Sequence, residues 1–274
     1  MIPLQALVAA GHDVRLVVSR ADKKRGRGNA LVPSPVKAAA VELGLPVTSS
    51  LDAVAEADVE LGVVVAFGRI LPADLLARVP MVNLHFSLLP RWRGAAPVER
   101  AILAGDAETG VCLMKIDEGL DTGPVIRCQS LAIGPEETAD ELRGRLVAAG
   151  TEVLLTQLEV GLSPARPQTG EPTYADKISP DELRIDWSDD LDAMHRLIRL
   201  GRAWTLFRGH RIRILRAVRS LDPAARSLAP GQLDGVLVGP GLELVEVQPE
   251  GKRPQPAMAW VQGARLRPGE RFGS

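Results

Sequence analysis

A chain of 274 residues, 46% apolar and 24% charged, suits two globular domains at roughly 100–200 residues each. Its formal net charge of −1 excludes capture of a polyanion by bulk positive charge, so any such partner needs a local basic patch. No apolar run approaches the ~18 residues of a membrane span. The opening "MIPLQALVAAGHD" lacks the basic n-region of a signal peptide and reads as a helix, with Leu4, Leu7 and Val8 at helical spacing and Gly11 as its stop. Asp13–Ser19, "DVRLVVS", reads as a strand, and the loop "RADKKRGRGNALVPSP" carries five basic residues. Pro35 opens a helix that ends near Gly44. "ADVELGVVVAF" is an apolar, β-branched run, as expected of a strand buried on both faces of a parallel sheet. "LPADLLARV" is a short helix, "PMVNLH" a strand and "PVERAILAG" a helix; "TGVCLMKID" and "PVIRCQSLAI" are strands around the loop "EGLDTG". "TADELRGRLVAAGTEVLLTQLEVG" is a long amphipathic helix with a Thr cap. This alternation predicts a doubly wound α/β domain with a mostly parallel sheet.

From Leu162 the texture changes. "LSPARPQTGEPTYADKISPDE" is rich in Pro, Ser, Thr and Gly and reads as a linker. One helix follows, from Asp189 to about Leu200, and then short strands with Gly and Pro turns that predict a small β-barrel. The expected organisation is a domain over 1–162, a linker over 163–182 and a second domain over 183–274. The two cysteines, Cys112 and Cys128, have neither metal-ligand spacing nor a CxxC motif. They predict reduced thiols in a cytoplasmic protein without a disulfide framework.

Chemistry concentrates in "NLHFSLLPRWRGAAPVERAI". In an open parallel sheet, ligands bind beyond the carboxyl ends of the strands, where Asn83 and His85 fall. Residues i and i+2 of a strand share a face, so an amide and an imidazole converge. Asp121, in the glycine-bracketed loop "EGLDTG", supplies a carboxylate. Together they suit attack of an amine on a carbonyl carbon: an amide donor for the oxyanion, an imidazole to shuttle or stabilise charge, and an acid to orient it and take the amine proton. Each alone has an ordinary structural role, as cap, hydrogen-bonded histidine or turn former.

The stretch "NLHFSLLPRWRGAAPVERAILAGDAETGVCLMKIDEGLDTGPVI" resembles the core of the methionyl-tRNA formyltransferases, the tRNA-acting branch of the enzymes that move a formyl group from 10-formyltetrahydrofolate. "GRGNALVPSPVK", "KISPDELRIDW" and "GKRPQPAMAWVQGARLRPGERF" extend the resemblance over nearly the whole chain. It implies a Rossmann-like formyltransferase domain followed by an OB-like tRNA-binding barrel. Asn83, His85 and Asp121 are then the catalytic trio, and Ser87, Leu88, Leu89 and Pro90 belong to the folate-binding segment. Ile70 and Leu71 wall the pterin pocket. It further implies folate as cosubstrate, no metal, initiator methionyl-tRNA as partner, no membrane association and a monomer.

Two basic features are candidates for holding RNA. Between Ala193 and Ser220 there are eight arginines and no acidic residue, with Arg211 and Arg213 alternating with Ile212 and Ile214. A strand of that pattern puts guanidinium groups on one face. The loop with Lys23, Lys24, Arg25 and Arg27 is the second, and by resemblance it reaches the acceptor end of the tRNA. Members of the family usually begin with a further strand and a "GTP"-like loop before the helix at Leu4. Its absence leaves the Asp13–Ser19 strand short of a neighbour, and a start assigned one strand late is the expectation. Rival readings are a formyl-folate enzyme acting on a nucleotide or sugar-nucleotide amine, and an inactive, shortened RNA-binding remnant.

Overall fold

A computed structural model describes residues 1–24 and 31–273. The chain divides into two compact units. The first is Met1–Pro97, Thr109–Leu131 and Gly144–Ala175; the second is Val98–Glu108, Ala132–Arg143 and Asp176–Ser274. Among the described residues no helix is long and apolar enough to cross a membrane.

The first unit is built on a four-stranded sheet, in the order Gly62–Val65, Met81–His85, Glu108–Lys115, Val125–Ala132. Gly62–Val65 and Met81–His85 are parallel, whereas Met81–His85 and Glu108–Lys115 are antiparallel, so the sheet is mixed. The strand expected over Asp13–Ser19 is confined to Val17–Val18 and pairs in parallel with Val47–Thr48. Among the described residues this pair forms a sheet of its own.

The helix Ala139–Glu159 begins on a reciprocal capping box. Thr138 Oγ1 accepts from the Glu141 N–H, and a Glu141 carboxylate oxygen accepts from the Thr138 N–H at 2.8 Å. Farther along, Gly150 permits close approach to the sheet: a Cβ there would meet Val111 and Leu84. Leu84 and Leu113 are cross-strand partners, so this helix covers the face on which they lie. Asn83 and His85 therefore face the opposite side. At the start of the strand Met81–His85, Leu75, Val79 and Met81 form a buried cluster, joined by Leu71 and Ile116.

Cys112 and Cys128 are joined in a disulfide, which corrects the expectation of reduced thiols. The separation of 16 residues spans a chain reversal: Lys115 N–H bonds the Pro124 carbonyl, and the two strands return side by side. Linear spacing carries no sign of this because the pairing is set by sheet register.

The second unit contains a six-stranded sheet. Its order is Trp204–Phe207, His210–Arg219, Leu242–Pro249, Leu237–Val238, Leu233–Asp234, with Gln255–Pro256 also paired to Leu242–Pro249. All its ladders are antiparallel. This corrects the expected barrel. Among the described residues the edge strands Trp204–Phe207 and Leu233–Asp234 do not pair with each other, so the sheet is open. The core beneath it is closed instead by aromatic packing. Phe207 meets Trp260 edge-on at 5.1 Å, and Phe272 stacks on Trp187 at 5.2 Å. Trp260 belongs to the helix Ala257–Ala264, where the sequence suggests only strands and turns. Its Ala, Met and Gln content favours a helix, but eight residues with a single polar side chain carry no clear period.

Candidate active site

The strand Met81–His85 ends in His85, which is 5% exposed. The chain then turns sharply. Arg91 N–H bonds the Leu88 carbonyl, Ser87 Oγ donates to the Arg91 carbonyl, and the Leu89–Pro90 bond is cis. Trp92, with φ of 60°, turns its carbonyl back onto the ring, at 2.8 Å from His85 Nε2. A carbonyl can only accept, so Nε2 carries the hydrogen of this contact. His85 Nδ1 then faces Asp121 Oδ2 at 3.5 Å, where a proton can be shared between ring and carboxylate.

Asp121 comes from the loop 116–124. It adopts a left-handed backbone, φ 51°, which is costly for a residue with a Cβ unless neighbours hold it. They do so at two points. Oδ2 accepts from the Gly94 N–H at 2.8 Å, and the Asp121 main-chain carbonyl accepts from Gln168 Nε2 at 2.8 Å. Gly123 closes the loop where a Cβ would collide with the Lys115 carbonyl. Met114, the cross-strand partner of Asn83, lies beside Gly123 as well. The loop thus folds over the face that carries Asn83 and His85.

The three polar side chains differ in what remains unengaged. Both His85 nitrogens have protein neighbours. The Asn83 amide is half-buried and has no hydrogen-bond partner among the described residues, and the same holds for Asp121 Oδ1. The arrangement therefore offers an unengaged amide and one free carboxylate oxygen beside a held imidazole. That is a set for stabilising a developing oxyanion and removing a proton.

The other sequence candidates fall as follows. Ser87 is fully buried and engaged in the turn, while Leu88, Leu89 and Pro90 are partly exposed beside the site. Ile70 and Leu71 diverge: Ile70 is 91% exposed, whereas Leu71 packs on Leu75, Val79 and Met81. The backbone of Lys23 and Lys24 forms a short antiparallel pair with Leu31–Val32; Arg25 and Arg27 lie outside the described residues. In the second unit Arg211 and Arg213 stand on the outer face of His210–Arg219, with Ile212 and Ile214 buried beneath. Arg211 stacks on Trp204 at 4.1 Å, and Arg213 reaches Gln248 at 3.4 Å. Among the eight arginines of this region, Arg202, Arg208, Arg216 and Arg219 meet carboxylates, and Arg196 and Arg199 bond main-chain carbonyls. Arg211 and Arg213 meet neither.

Gln168 is the site residue that sequence reading missed. It sits in the proline-rich stretch expected to be a linker, where a single glutamine gives no signal. Parts of that stretch are ordered within the first unit: Val125 bridges to Arg166, and Tyr174–Ala175 pairs in parallel with Arg93–Gly94.

Residues 4–158 match the family model for formyl transferase, and residues 177–265 match the model for the formyl transferase C-terminal domain. The chain is 40% identical over 301 residues to the methionyl-tRNA formyltransferase of Heliobacterium modesticaldum, covering 98% of this chain and 95% of that protein. It is 41% identical over 296 residues to a methionyl-tRNA formyltransferase of Thermus thermophilus, covering 99% and 95%. Among solved structures, HypX from Aquifex aeolicus in complex with tetrahydrofolic acid shares the fold, with a TM-score of 0.66 at 18% identity over 84% of this chain and 44% of the longer HypX chain. The chain belongs to the formyl transferase family, among the methionyl-tRNA formyltransferases.

Proposed function

We propose that the chain transfers a formyl group from 10-formyltetrahydrofolate to the α-amino group of methionine esterified to initiator tRNA, with Asn83, His85 and Asp121 carrying the reaction. The observation that carries this reading is the unengaged Asn83 amide and Asp121 Oδ1 beside an imidazole held at both nitrogens. The α-amino group, with a free pKa of about 7.7–8.0, is partly neutral near pH 7. As its lone pair attacks the formyl carbon, the carbonyl electron pair moves onto oxygen. Asn83 donates to that oxygen. Asp121 Oδ1 accepts the proton lost by the amine, and His85 balances the charge on the carboxylate through Nδ1. The C–N10 bond then breaks as the carbonyl re-forms, and the departing nitrogen takes up a proton, restoring the carboxylate.

The folate would rest against the turn Ser87–Pro90, where partly exposed Leu88, Leu89 and Pro90 offer apolar surface to a flat ring system, with Ile70 as a further exposed apolar group. For the tRNA, support comes from Arg211 and Arg213. Among the described residues neither forms an ion pair with a carboxylate, which leaves both available to phosphate.

The test is formyl transfer to methionyl initiator tRNA by the purified chain and its Asn83→Ala variant. Loss of one oxyanion donor should lower kcat by about 10²–10³ with unchanged thermal unfolding. Undiminished turnover in the variant would remove Asn83 from the chemistry. A chain that formylates an amino-sugar nucleotide and leaves methionyl-tRNA untouched would overturn the substrate.

A further inference from the structure

The Gln168 side chain is hydrogen-bonded to its full capacity. Its oxygen accepts from Arg93 Nε at 3.1 Å and Arg93 Nη2 at 2.6 Å. Its nitrogen donates to the Asp121 carbonyl at 2.8 Å and the Gly123 carbonyl at 2.9 Å. An amide has two acceptor sites and two N–H donors, and all four are used. The contacts close a ring. Arg93 holds Gln168, Gln168 holds the main chain of Asp121, and the Asp121 carboxylate returns to the N–H of Gly94, the residue after Arg93. The same stretch carries Trp92, whose carbonyl orients His85 and whose N–H bonds Thr173 Oγ1 at 2.9 Å. The main chain of residues 173–175 in turn accepts from the Arg93, Ala95 and Ala96 N–H groups.

We infer that Gln168 is a positioning residue for the transfer reaction: it fixes the left-handed backbone of Asp121 so that the carboxylate meets His85 Nδ1. The strand holds Asn83 and His85 by its own ladder, but Asp121 stands on a loop. Without Gln168, two carbonyls of that loop lose their donor and Arg93 loses its acceptor. A misplacement of about 1 Å at a reacting group can cost on the order of 10²-fold in rate. This inference rests on the proposed role of Asp121.

Two substitutions separate positioning from simple support. Gln168→Ala removes all four bonds. Gln168→Glu keeps the oxygen that pairs with Arg93, now as an ion pair, but places a carboxylate oxygen where the loop carbonyls need a donor. Both should lower kcat by about 10- to 100-fold with KM for folate and for tRNA within twofold, and Gln168→Glu, which keeps its pairing with Arg93, should unfold at a higher temperature than Gln168→Ala. The decisive arm is a double-mutant cycle with Asp121→Asn. If Gln168 acts through the Asp121 carboxylate, adding Gln168→Glu to Asp121→Asn lowers the residual rate no further. Full additivity would overturn the inference and leave a merely structural glutamine. So would wild-type kcat in both Gln168 variants alongside an impaired Asp121→Asn. Wild-type kcat in Asp121→Asn itself would instead sink the catalytic reading of Asp121, and this inference with it.

Discussion

Replacing Asp121 by Asn isolates the charge of the carboxylate from its position. The side chain makes one strong bond, from the Gly94 N–H to Oδ2 at 2.8 Å, and an Asn oxygen can accept the same hydrogen. Orientation of the amide is thereby fixed, with oxygen toward Gly94 and His85. What disappears is the negative charge 3.5 Å from His85 Nδ1. If the ring takes a full positive charge during transfer, a unit charge pair at that distance is worth about 5 kcal/mol at an effective dielectric of about 20. At 1.36 kcal/mol per decade this corresponds to between roughly three and four powers of ten, as a ceiling. Only part of that ceiling is realised in the transition state, so the expected fall in kcat is about 10²–10³. Thermal unfolding should stay near wild type. Asp121→Ala, by contrast, strips the Gly94 N–H of its acceptor and should cost a further ~1–3 kcal/mol of stability. The assay is single-turnover formyl transfer with saturating folate and charged initiator tRNA, beside calorimetry of all three proteins. A kcat for Asp121→Asn within fivefold of wild type would refute the reasoning. So would an Asn variant as destabilised as the Ala variant, because the loss would then come from misfolding of the loop.

Closing a loop across a separation of 16 residues should stabilise the first unit by about 3 kcal/mol. Dithiothreitol should therefore lower the wild-type melting temperature to that of Cys128→Ala and leave the variant unmoved; equal melting with and without reductant would show that the bond contributes nothing. In the second unit, burial pushes the His195 pKa below its ordinary value, opposed by the adjacent Glu136 carboxylate. The unfolded chain then takes up a proton below about pH 6.5 that the folded chain resists. Stability present above that pH should decline as pH falls through it, and His195→Asn should flatten the slope in denaturant titrations followed by tryptophan fluorescence. Identical slopes would exclude His195 as the origin. Arg213→Gln should weaken tRNA binding and reduce the log–log salt slope by about 0.9; a slope unchanged from wild type would place Arg213 away from phosphate.

The parts of the site legible in the sequence are those set by local geometry. Asn83 and His85 share a face because a strand repeats every two residues, and they sit at a carboxyl end because "PMVNLH" stops there. Asp121 is legible as an acid in a glycine-bracketed loop. What holds it is not. The Gly94 N–H and the Trp92 carbonyl are backbone groups that every residue type carries, and Gln168 acts across 47 positions from a stretch whose composition reads as linker. The same limit governs the fold. The helix Ala139–Glu159 announces itself through its Thr cap, because the cap is local. Whether six short strands close into a barrel depends on pairing between distant edges, and the Cys112–Cys128 bond depends on strand register. Neither is encoded in spacing.

Hydrogen-bond saturation divides the site into groups that position and groups that react. A group whose capacity is fully used, such as the Gln168 amide, cannot bond a substrate without giving up a contact already made. Groups left with capacity, the Asn83 amide and Asp121 Oδ1, sit where water or substrate must complete them. His85 lies between, because its two contacts differ in kind. The bond from Nε2 to a neutral carbonyl fixes the ring, whereas Nδ1 faces a charge at 3.5 Å, longer than a formed hydrogen bond. Charge that develops in this site therefore changes the second contact and leaves the first alone. The imidazole can respond to charge that develops during transfer without rotating, which is the economy expected of a preorganised site. That economy holds only while the loop 116–124 stays fixed, and the ring through Arg93, Gln168 and Gly94 is what fixes it.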